Sequence, residues 1–292
     1  MTSPRLPQSL VAQQARVTTA IGRLLPSEGL EPRTVHGAMR YTALAPSKRV
    51  RAAVTVLAAE LCGRANDGTI AVAASIELVH SASLILDDLP SMDNAPLRRG
   101  KPACHVAFGE AVAVLAAFGL LNLAFSTVAR GLDPVLAARV ATLIADAIGS
   151  DGLIAGQAED LAATEREISF ETLERIHRRK TGALFSAAAV AGALTAGAPP
   201  SQIAALEAYA KNLGLAFQIV DDLLDVEGDP AETGKATRTD LKKTTFVSFS
   251  GVDGARQLAG ELCATADAAL APFGARAEPL RQLSAFVAAR RG

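Results

Sequence analysis

Apolar residues recur along this chain at intervals of three and four, and the period-two alternation typical of strands is almost absent. Leu10, Val17 and Ile21 form the first such stripe and predict an amphipathic helix. It ends at Pro26, where a Pro-Ser-Glu-Gly turn follows. The same pattern predicts further helices over residues 34–44, 50–62, 69–86, 105–130, 134–149, 151–164, 170–198, 201–226, 254–271 and 276–290.

Two segments are apolar on every side and therefore resemble membrane spans. Residues 111–129 include nineteen positions without a charge, and residues 183–198 are similar. A helix that is apolar all round lies either in lipid or in the core of a large protein. Because Gly119 and Asn122 lower the apolar character of the first segment, we expect both helices to be core helices and no membrane span. No linker, repeat or low-complexity tract divides the chain. We predict one all-α domain over residues 1–292, a large helical bundle around a central cavity.

Composition and charge exclude several classes of function. Alanine and leucine dominate, aromatic residues make up 4% and tryptophan is absent, which favours helices. The net charge of −1 argues against nucleic acid as a partner. Cys62, Cys104 and Cys263 show no paired spacing, so reduced thiols and a cytoplasmic location are expected. The first residues contain no apolar block long enough to predict a signal peptide.

Two clusters of aspartates follow apolar helical runs. The first holds Asp87, Asp88 and Asp93, and the second holds Asp221, Asp222 and Asp225. Grouped carboxylates beside an apolar interior repel one another unless a cation compensates their charge. Hard oxygen ligands suit Mg2+, which is commonly bound through one or two carboxylates plus substrate phosphates.

Helix geometry adds detail to both clusters. Asp221 and Asp225 are four residues apart and project from one helix face, whereas Asp222 points to the flank. Pro90 disfavours a continuous helix through the first cluster, so we expect Asp93 to return from a turn towards Asp87. The alternative is that these acidic pairs only solvate helix ends, but two clusters with a third aspartate each favour a metal site.

Basic residues lie near predicted helix ends around the acids. Lysine and arginine at several such ends suit the outer oxygens of phosphates whose inner oxygens bind a metal. Taken alone, Arg49 and Lys242 are expected to be solvated surface charges. The residues considered for phosphate binding are Lys48, Arg51, Arg98, Arg99, Lys180 and Lys235.

These motifs together resemble the trans-polyprenyl diphosphate synthase family. Residues 80–105, with two aspartates, Asp93 and an Arg-Arg pair, resemble the first aspartate-rich motif, and residues 214–225 resemble the second. The similarity extends over roughly residues 40–290. One departure concerns the loop before Lys48, where Pro46 and Ser47 replace the family's usual Gly-Gly and Ala52 replaces its Pro.

The resemblance implies a division of roles. Asp87, Asp93 and Asp221 would bind Mg2+, with three ions in each active site, and Asp88, Asp222 and Asp225 would support them. Arg98, Lys180 and Lys235 would neutralise the allylic diphosphate. Thr181 and Gln218 would stabilise a carbocation by their oxygens. Isopentenyl diphosphate would bind the following residues: Lys48, Arg51, His80 and Arg99. A homodimer is also implied.

The resemblance further suggests a product. Ala82 and Ser83 lie about one turn below Asp87, where the growing chain is expected to run. Short-chain bacterial relatives that stop at farnesyl carry an aromatic residue at the position of Ala82, so this chain is most like bacterial geranylgeranyl diphosphate synthases. Leu115 or Phe118 could form the floor of the cavity. The alternatives are a farnesyl diphosphate synthase, a terpene cyclase and a non-catalytic subunit of a heteromeric synthase.

Overall fold

The computed structural model describes residues 7–227 and 243–290. Nearly all of the regular structure is helical. The helices are α1 (Gln8–Leu24), α2 (Arg33–Ala43), α3 (Val50–Cys62), α4 (Asp67–Asp87), α5 (Cys104–Phe108), α6 (Glu110–Gly131), α7 (Pro134–Ile148), α8 (Leu153–Ala163), α9 (Phe170–His177), α10 (Ala183–Thr195), α11 (Pro200–Glu227), α12 (Phe246–Ala269) and α13 (Glu278–Ala288). A π-helical turn covers Arg178–Gly182, and a 3-10 helix covers Ala271–Ala277.

The bundle is organised around α4, α10 and α11. Helix α4 packs on α3 and α6, α10 packs on α3 and α11, and α11 packs on α12. Small residues let these helices approach closely: a Cβ added to Gly192 of α10 would lie 2.1 Å from the Thr55 carbonyl oxygen of α3. The main core includes fully buried Phe185 and Tyr209, and Phe246 belongs to a second core beneath α12.

Capping residues explain where several helices begin. Asn66 accepts a hydrogen bond from the Thr69 amide in a capping box, so α4 begins earlier than the predicted residue 69. Thr245 and Ser248 form a second capping box, and α12 begins at Phe246 instead of 254. The sequence did not indicate this early start because Gly251, which has φ 70°, kinks the helix in its second turn.

Two other expectations about the helices were incomplete, and one hairpin was not predicted. Gly109, with φ 84°, separates the predicted helix 105–130 into α5 and α6. The predicted helix 170–198 contains the π-helical turn, followed by α10, which ends at Thr195. A short antiparallel hairpin, β1 (Leu97–Arg98) and β2 (Lys101–Pro102), was not predicted. Arg99 and Gly100 form its two-residue turn, both with positive φ, which matches the twist of a tight hairpin.

Two helices, α4 and α6, are long and apolar enough to cross a membrane by length and composition alone. In the most apolar 18-residue stretch of each helix, 67% is buried inside the protein in α4 and 39% in α6. One face of α6 packs in the core, but the helix is not buried on every side, so the prediction of a core helix was only partly right. The opposite face is exposed in the single chain, including Leu115 at 55% and Phe118 at 66%. The suggestion that these two side chains form a cavity floor within the chain was therefore wrong.

Candidate active site

The first aspartate cluster lies where α4 ends. The helix stops at Asp87, and Leu89 and Pro90 follow in a turn. The chain then reverses, so that the Asp93 amide donates a hydrogen bond to the Asp87 carbonyl oxygen at 3.0 Å. The predicted return of Asp93 towards Asp87 is confirmed, and Pro90 supplies its physical cause.

Asp87 and Asp88 have different surroundings. The Asp87 side chain is 18% exposed, and its Oδ1 accepts a hydrogen bond from Gln157 Nε2 at 2.8 Å. The Asp88 side chain is 3% exposed, and Arg98 Nε donates to its two oxygens at 3.0 and 3.1 Å. Arg98 lies on β1 of the hairpin and is held there by its bonds to Asp88. Its guanidinium therefore also comes within 3.9 Å of Asp87.

Two lysines connect the first cluster to α8. Lys180 Nζ donates to Asp160 Oδ2 at 2.7 Å and lies 3.5 Å from Asp87 Oδ1. Lys243 Nζ donates to Asp93 at 2.8 Å and to Asp160 at 3.1 Å. Burial alone would lower the pKa of both lysines, but the neighbouring carboxylates outweigh it and raise the pKa of each. Both lysines are therefore cationic at neutral pH.

The π-helical turn positions Lys180 and Thr181. A π turn inserts a residue into a helix and is frequently found at functional sites. Gly156 of α8 lies directly against this turn, where an added Cβ would be 2.3 Å from the Lys180 backbone nitrogen. The glycine therefore lets α8 bring Gln157 and Asp160 next to Lys180.

The second cluster joins α11 to the π turn and to α12. The buried Asp222 accepts hydrogen bonds from Gln218 Nε2 at 3.0 Å and from the Phe246 amide at 3.1 Å. An ionised carboxylate only accepts, so the Gln218 amide nitrogen must face Asp222 and its oxygen must face Thr181. Thr181 Oγ1 donates to that oxygen at 2.9 Å. Asp221 points elsewhere, with its side chain 32% exposed and Oδ1 2.9 Å from Arg290 Nη1. Asp225 lies one turn further along α11 and is half-buried.

A second group of cationic side chains gathers beside the first cluster. Arg51 Nη1 lies 3.4 Å from His80 Nε2, and Arg99 is close enough to affect both. Since a guanidinium only donates, His80 accepts at Nε2 and carries its proton on Nδ1. Burial, then Arg51 and Arg99, holds the pKa of His80 well below its usual value. Burial, followed by repulsion from Arg290, lowers the pKa of Lys48 to about 8.

Lys48, Arg51 and Arg99 each lie close to other cationic groups, an arrangement that suits a bound anion. Burial first, and then Arg49, lowers the pKa of Arg99, while burial lowers that of Arg51 to about 10. Groups that repel one another in this way are stabilised by a bound anion. The stacking of Arg51 on Phe185, 4.5 Å from its Cζ to the ring centroid, keeps the guanidinium in place on an apolar surface.

The comparison with known proteins establishes the family. The family model for polyprenyl synthetase matches residues 32–257. This protein belongs to the polyprenyl synthetase family. A chloroplastic geranylgeranyl pyrophosphate synthase of Capsicum annuum is 42% identical over 267 residues, which cover 89% of this chain and 72% of the relative.

Solved structures of similar fold support the family assignment. An FPP/GFPP synthase from Zymomonas mobilis matches 96% of the chain and 97% of its own, with a TM-score of 0.86 and 35% identity. A geranyltransferase from Helicobacter pylori, complexed with magnesium and isoprenyl diphosphate, matches 97% and 98%, with a TM-score of 0.84 and 28% identity. The predicted all-α isoprenoid synthase fold and the trans-prenyltransferase activity are confirmed.

One expectation about the synthetase's basic residues was wrong. Arg49 is not a solvated surface charge: its guanidinium lies 3.3 Å from Glu77, and both side chains are 2% exposed. Glu77 also accepts a hydrogen bond from the Ala52 amide at 3.1 Å. Arg49 has a φ of 49°, so this buried pair holds an unusual backbone conformation between Lys48 and Arg51. Lys235 and Lys242 lie outside the described residues.

Several residues of the site were not assigned a role from the sequence. Glu77 occupies an otherwise apolar helical run, and Asp160 follows Gln157 by three residues on one face of α8, so both carried a weak signal. Nothing in the sequence pointed to Arg290, which follows the last helix. The structure adds Glu77 and Arg290 to the site. It also gives partners to Gln157, Asp160 and Lys243, which lie in segments that resemble the family but had no assigned role.

Proposed function

We propose that this protein is a magnesium-dependent geranylgeranyl diphosphate synthase. It condenses isopentenyl diphosphate with dimethylallyl, geranyl or farnesyl diphosphate and releases diphosphate. The main observation in favour of this function is that two different charge environments lie side by side. In the first, lysine and arginine balance partly exposed aspartates, and in the second, cationic groups cluster around Arg51 and His80. The relatives named geranylgeranyl pyrophosphate synthase support this product.

Magnesium fits the first environment. Asp87, Asp93 and Asp221 present hard carboxylate oxygens on side chains that are 18%, 27% and 32% exposed. In the part of the chain that the structure describes, no three His, Cys, Asp or Glu residues form a complete metal cage. None is needed where substrate phosphates supply further ligands. Bound Mg2+, proposed as three ions, would stabilise the negative charge of the departing diphosphate.

The residues around these aspartates would hold the allylic diphosphate. Arg98 and Lys180 lie 3.9 and 3.5 Å from Asp87, so both can reach a diphosphate beside it. Lys243 Nζ lies closer still to Asp93, at 2.8 Å. Lys235 is assigned by resemblance. Arg98, Lys180 and Lys243 stay charged at neutral pH because carboxylates surround them, and they would stabilise the leaving group in the transition state.

The second environment would hold isopentenyl diphosphate. Lys48, Arg51 and Arg99 supply charge, and neutral His80 can donate a hydrogen bond from Nδ1. The Arg49–Glu77 pair would fix the loop that presents Lys48 and Arg51. Holding both substrates in one geometry converts a bimolecular coupling into a step between oriented neighbours.

The reaction proceeds by ionisation and attack. The allylic carbon–oxygen bond breaks and its electron pair leaves with diphosphate. The double bond of isopentenyl diphosphate then attacks the allylic cation, and the released diphosphate takes the lost proton. Thr181 and Gln218 keep oxygen lone pairs at fixed positions through the chain of hydrogen bonds to Asp222, and these oxygens would stabilise the cation.

Purified protein tests this function directly. Labelled isopentenyl diphosphate with Mg2+ and each allylic diphosphate is expected to yield geranylgeranyl diphosphate by mass spectrometry. Asp87→Asn should lower turnover by about 100-fold or more. A farnesyl end product would favour the farnesyl synthase alternative. Consumption of an allylic diphosphate without isopentenyl diphosphate would favour a cyclase, and no turnover would favour a non-catalytic subunit.

We also propose a cytoplasmic homodimer. Ala111, Leu115 and Phe118 follow one another at helical spacing on the exposed face of α6. Val106 of α5, 55% exposed, precedes them. An exposed apolar stripe of this kind is typical of a surface that a partner covers. A two-fold dimer would bury the same stripe of both copies.

A further inference from the structure

Arg290 lies at the second aspartate motif, although it follows the last helix of the chain. Its Nη1 is 2.9 Å from Asp221 Oδ1, and its side chain is 11% exposed. Its Cζ lies 4.3 Å from the centroid of the Phe217 ring, one turn before Asp221 on α11. The segment after α13 therefore brings a positive charge to one of the proposed magnesium ligands.

Charge and stacking hold this guanidinium, and directional hydrogen bonds contribute little. Nε and Nη1 are buried without a hydrogen-bond partner among the described residues, even though Nη1 is within ion-pair distance of Asp221. A buried donor without an acceptor is unfavourable. By contrast, Arg98 directs both Nε and Nη2 at the oxygens of Asp88. Arg290 is thus the more easily displaced of the two arginines.

Repulsion adds to this. Burial lowers the pKa of Lys48 first, and Arg290 lowers it further, while Asp221 opposes both. Arg290 therefore balances the charge of Asp221 but destabilises the neighbouring ammonium. A cation that binds Asp221 removes the attraction between Asp221 and Arg290 but leaves the repulsion between Arg290 and Lys48.

We propose that Arg290 is an internal counter-cation of Asp221 that a divalent metal must displace. The proposal rests on the proposed role of Asp221 as a magnesium ligand. The guanidinium and the metal compete for the same carboxylate, so the pairing of Arg290 weakens metal binding by a constant factor. It thereby balances the charge of Asp221 until a metal arrives, and it links metal binding at α11 to the release of the Arg290 side chain beside Lys48.

Metal binding without any diphosphate tests the proposal. Mn2+ is titrated into the full-length protein and free Mn2+ is measured by electron paramagnetic resonance. Arg290→Gln is expected to bind Mn2+ about tenfold more tightly than the parent protein. Arg281→Gln is the matched control, because Arg281 is on α13 and contacts Glu278 and the Gly274 carbonyl oxygen instead. Equal affinity in the parent and Arg290→Gln proteins would overturn the proposal.

A double-mutant cycle assigns the effect to the contact. In an Asp221→Asn background, Arg290→Gln is expected to change Mn2+ affinity by less than about twofold. A tenfold gain in that background as well would show that Arg290 acts elsewhere and would overturn the proposal. Arg290→Lys, which keeps the charge, should bind Mn2+ like the parent protein. Arg290→Ala, which removes the charge and is expected to bind about tenfold more tightly, replaces the glutamine variant if that variant unfolds. These measurements need no turnover, so they remain decisive even if the proposed synthase activity fails.

Discussion

Individual carboxylates of the two motifs divide by exposure. Asp88 and Asp222 are buried and hold neighbouring groups in place, whereas Asp87, Asp93 and Asp221 keep accessible oxygens. The family resemblance already assigned metal binding and support to neighbouring aspartates in each motif. It could not predict the partner of each, because Gln157, Lys243 and Arg290 come from distant parts of the chain.

The pKa of Lys48 predicts a pH effect on substrate binding. Lysine is cationic below its pKa, here about 8, and only the cation attracts a diphosphate. The apparent affinity for isopentenyl diphosphate should therefore fall by about tenfold between pH 7 and pH 9. Lys48→Arg should remove most of this fall because arginine stays charged. The measurement is KM for isopentenyl diphosphate against pH, with Lys211→Arg as control. A flat profile for the parent protein would contradict the prediction.

Ala82 makes a prediction about product length. Its side chain is fully buried, five residues before Asp87 on α4. A large ring there should block the path of the growing chain, so Ala82→Tyr is expected to shift the main product from geranylgeranyl to farnesyl diphosphate. Ala82→Ser, which adds one atom, should leave the product unchanged. Mass spectrometry of the products decides, and an unchanged distribution in the tyrosine variant would show that other residues limit the chain.

At the scale of elements, local sequence predicted most helices but not their interruptions. Helical periodicity continues through Arg178–Gly182, so nothing in the pattern indicates the π turn. The turn depends on close contact between α8 and the backbone at Lys180, which only the folded chain provides. The hairpin of β1 and β2 was also not indicated, because each strand has only two residues and shows no strand pattern in the sequence.

Gly156 provides a test of this contact. An alanine Cβ would meet backbone atoms of Lys180 at 2.3 and 2.7 Å, which no side-chain rotation can relieve. Gly156→Ala should therefore destabilise the protein by about 1–3 kcal/mol and lower turnover by displacing Lys180. Gly260→Ala is the matched control: it lies in α12 with open space around it and should stabilise by up to about 1 kcal/mol. Thermal unfolding and kcat measure both variants, and equal behaviour would refute the argument.

At the scale of the whole molecule, charge and apolar surface are distributed unevenly. The proposed catalytic cations and acids face one another at the ends of α4 and α11, and the exposed apolar stripe runs along α6. The composition predicted an apolar interior and gave a net charge close to zero. It could not distinguish an α6 buried on all sides from one with a free apolar face, because both have the same sequence.

The stripe predicts how the molecule assembles. Phe118→Glu places a charge in the proposed interface and should convert a dimer to a monomer, because burying an unpaired charge is costly. Ala264→Glu, at an exposed position on α12, should leave the assembly unchanged. Light scattering after size-exclusion chromatography gives both masses. A Phe118→Glu protein that stays dimeric would place the interface elsewhere, and a monomeric parent protein would refute the dimer.

The sequence by itself determined the helical class, the two acidic motifs and the family, because helical periodicity and motif spacing are local properties of the chain. The tertiary structure decided which aspartates are accessible, that Arg49 is buried on Glu77, and that Arg290 reaches Asp221. These facts depend on contacts between residues far apart in the chain. Burial and distance set both the pairing of charges and their pKa values, and neither is defined until the helices pack.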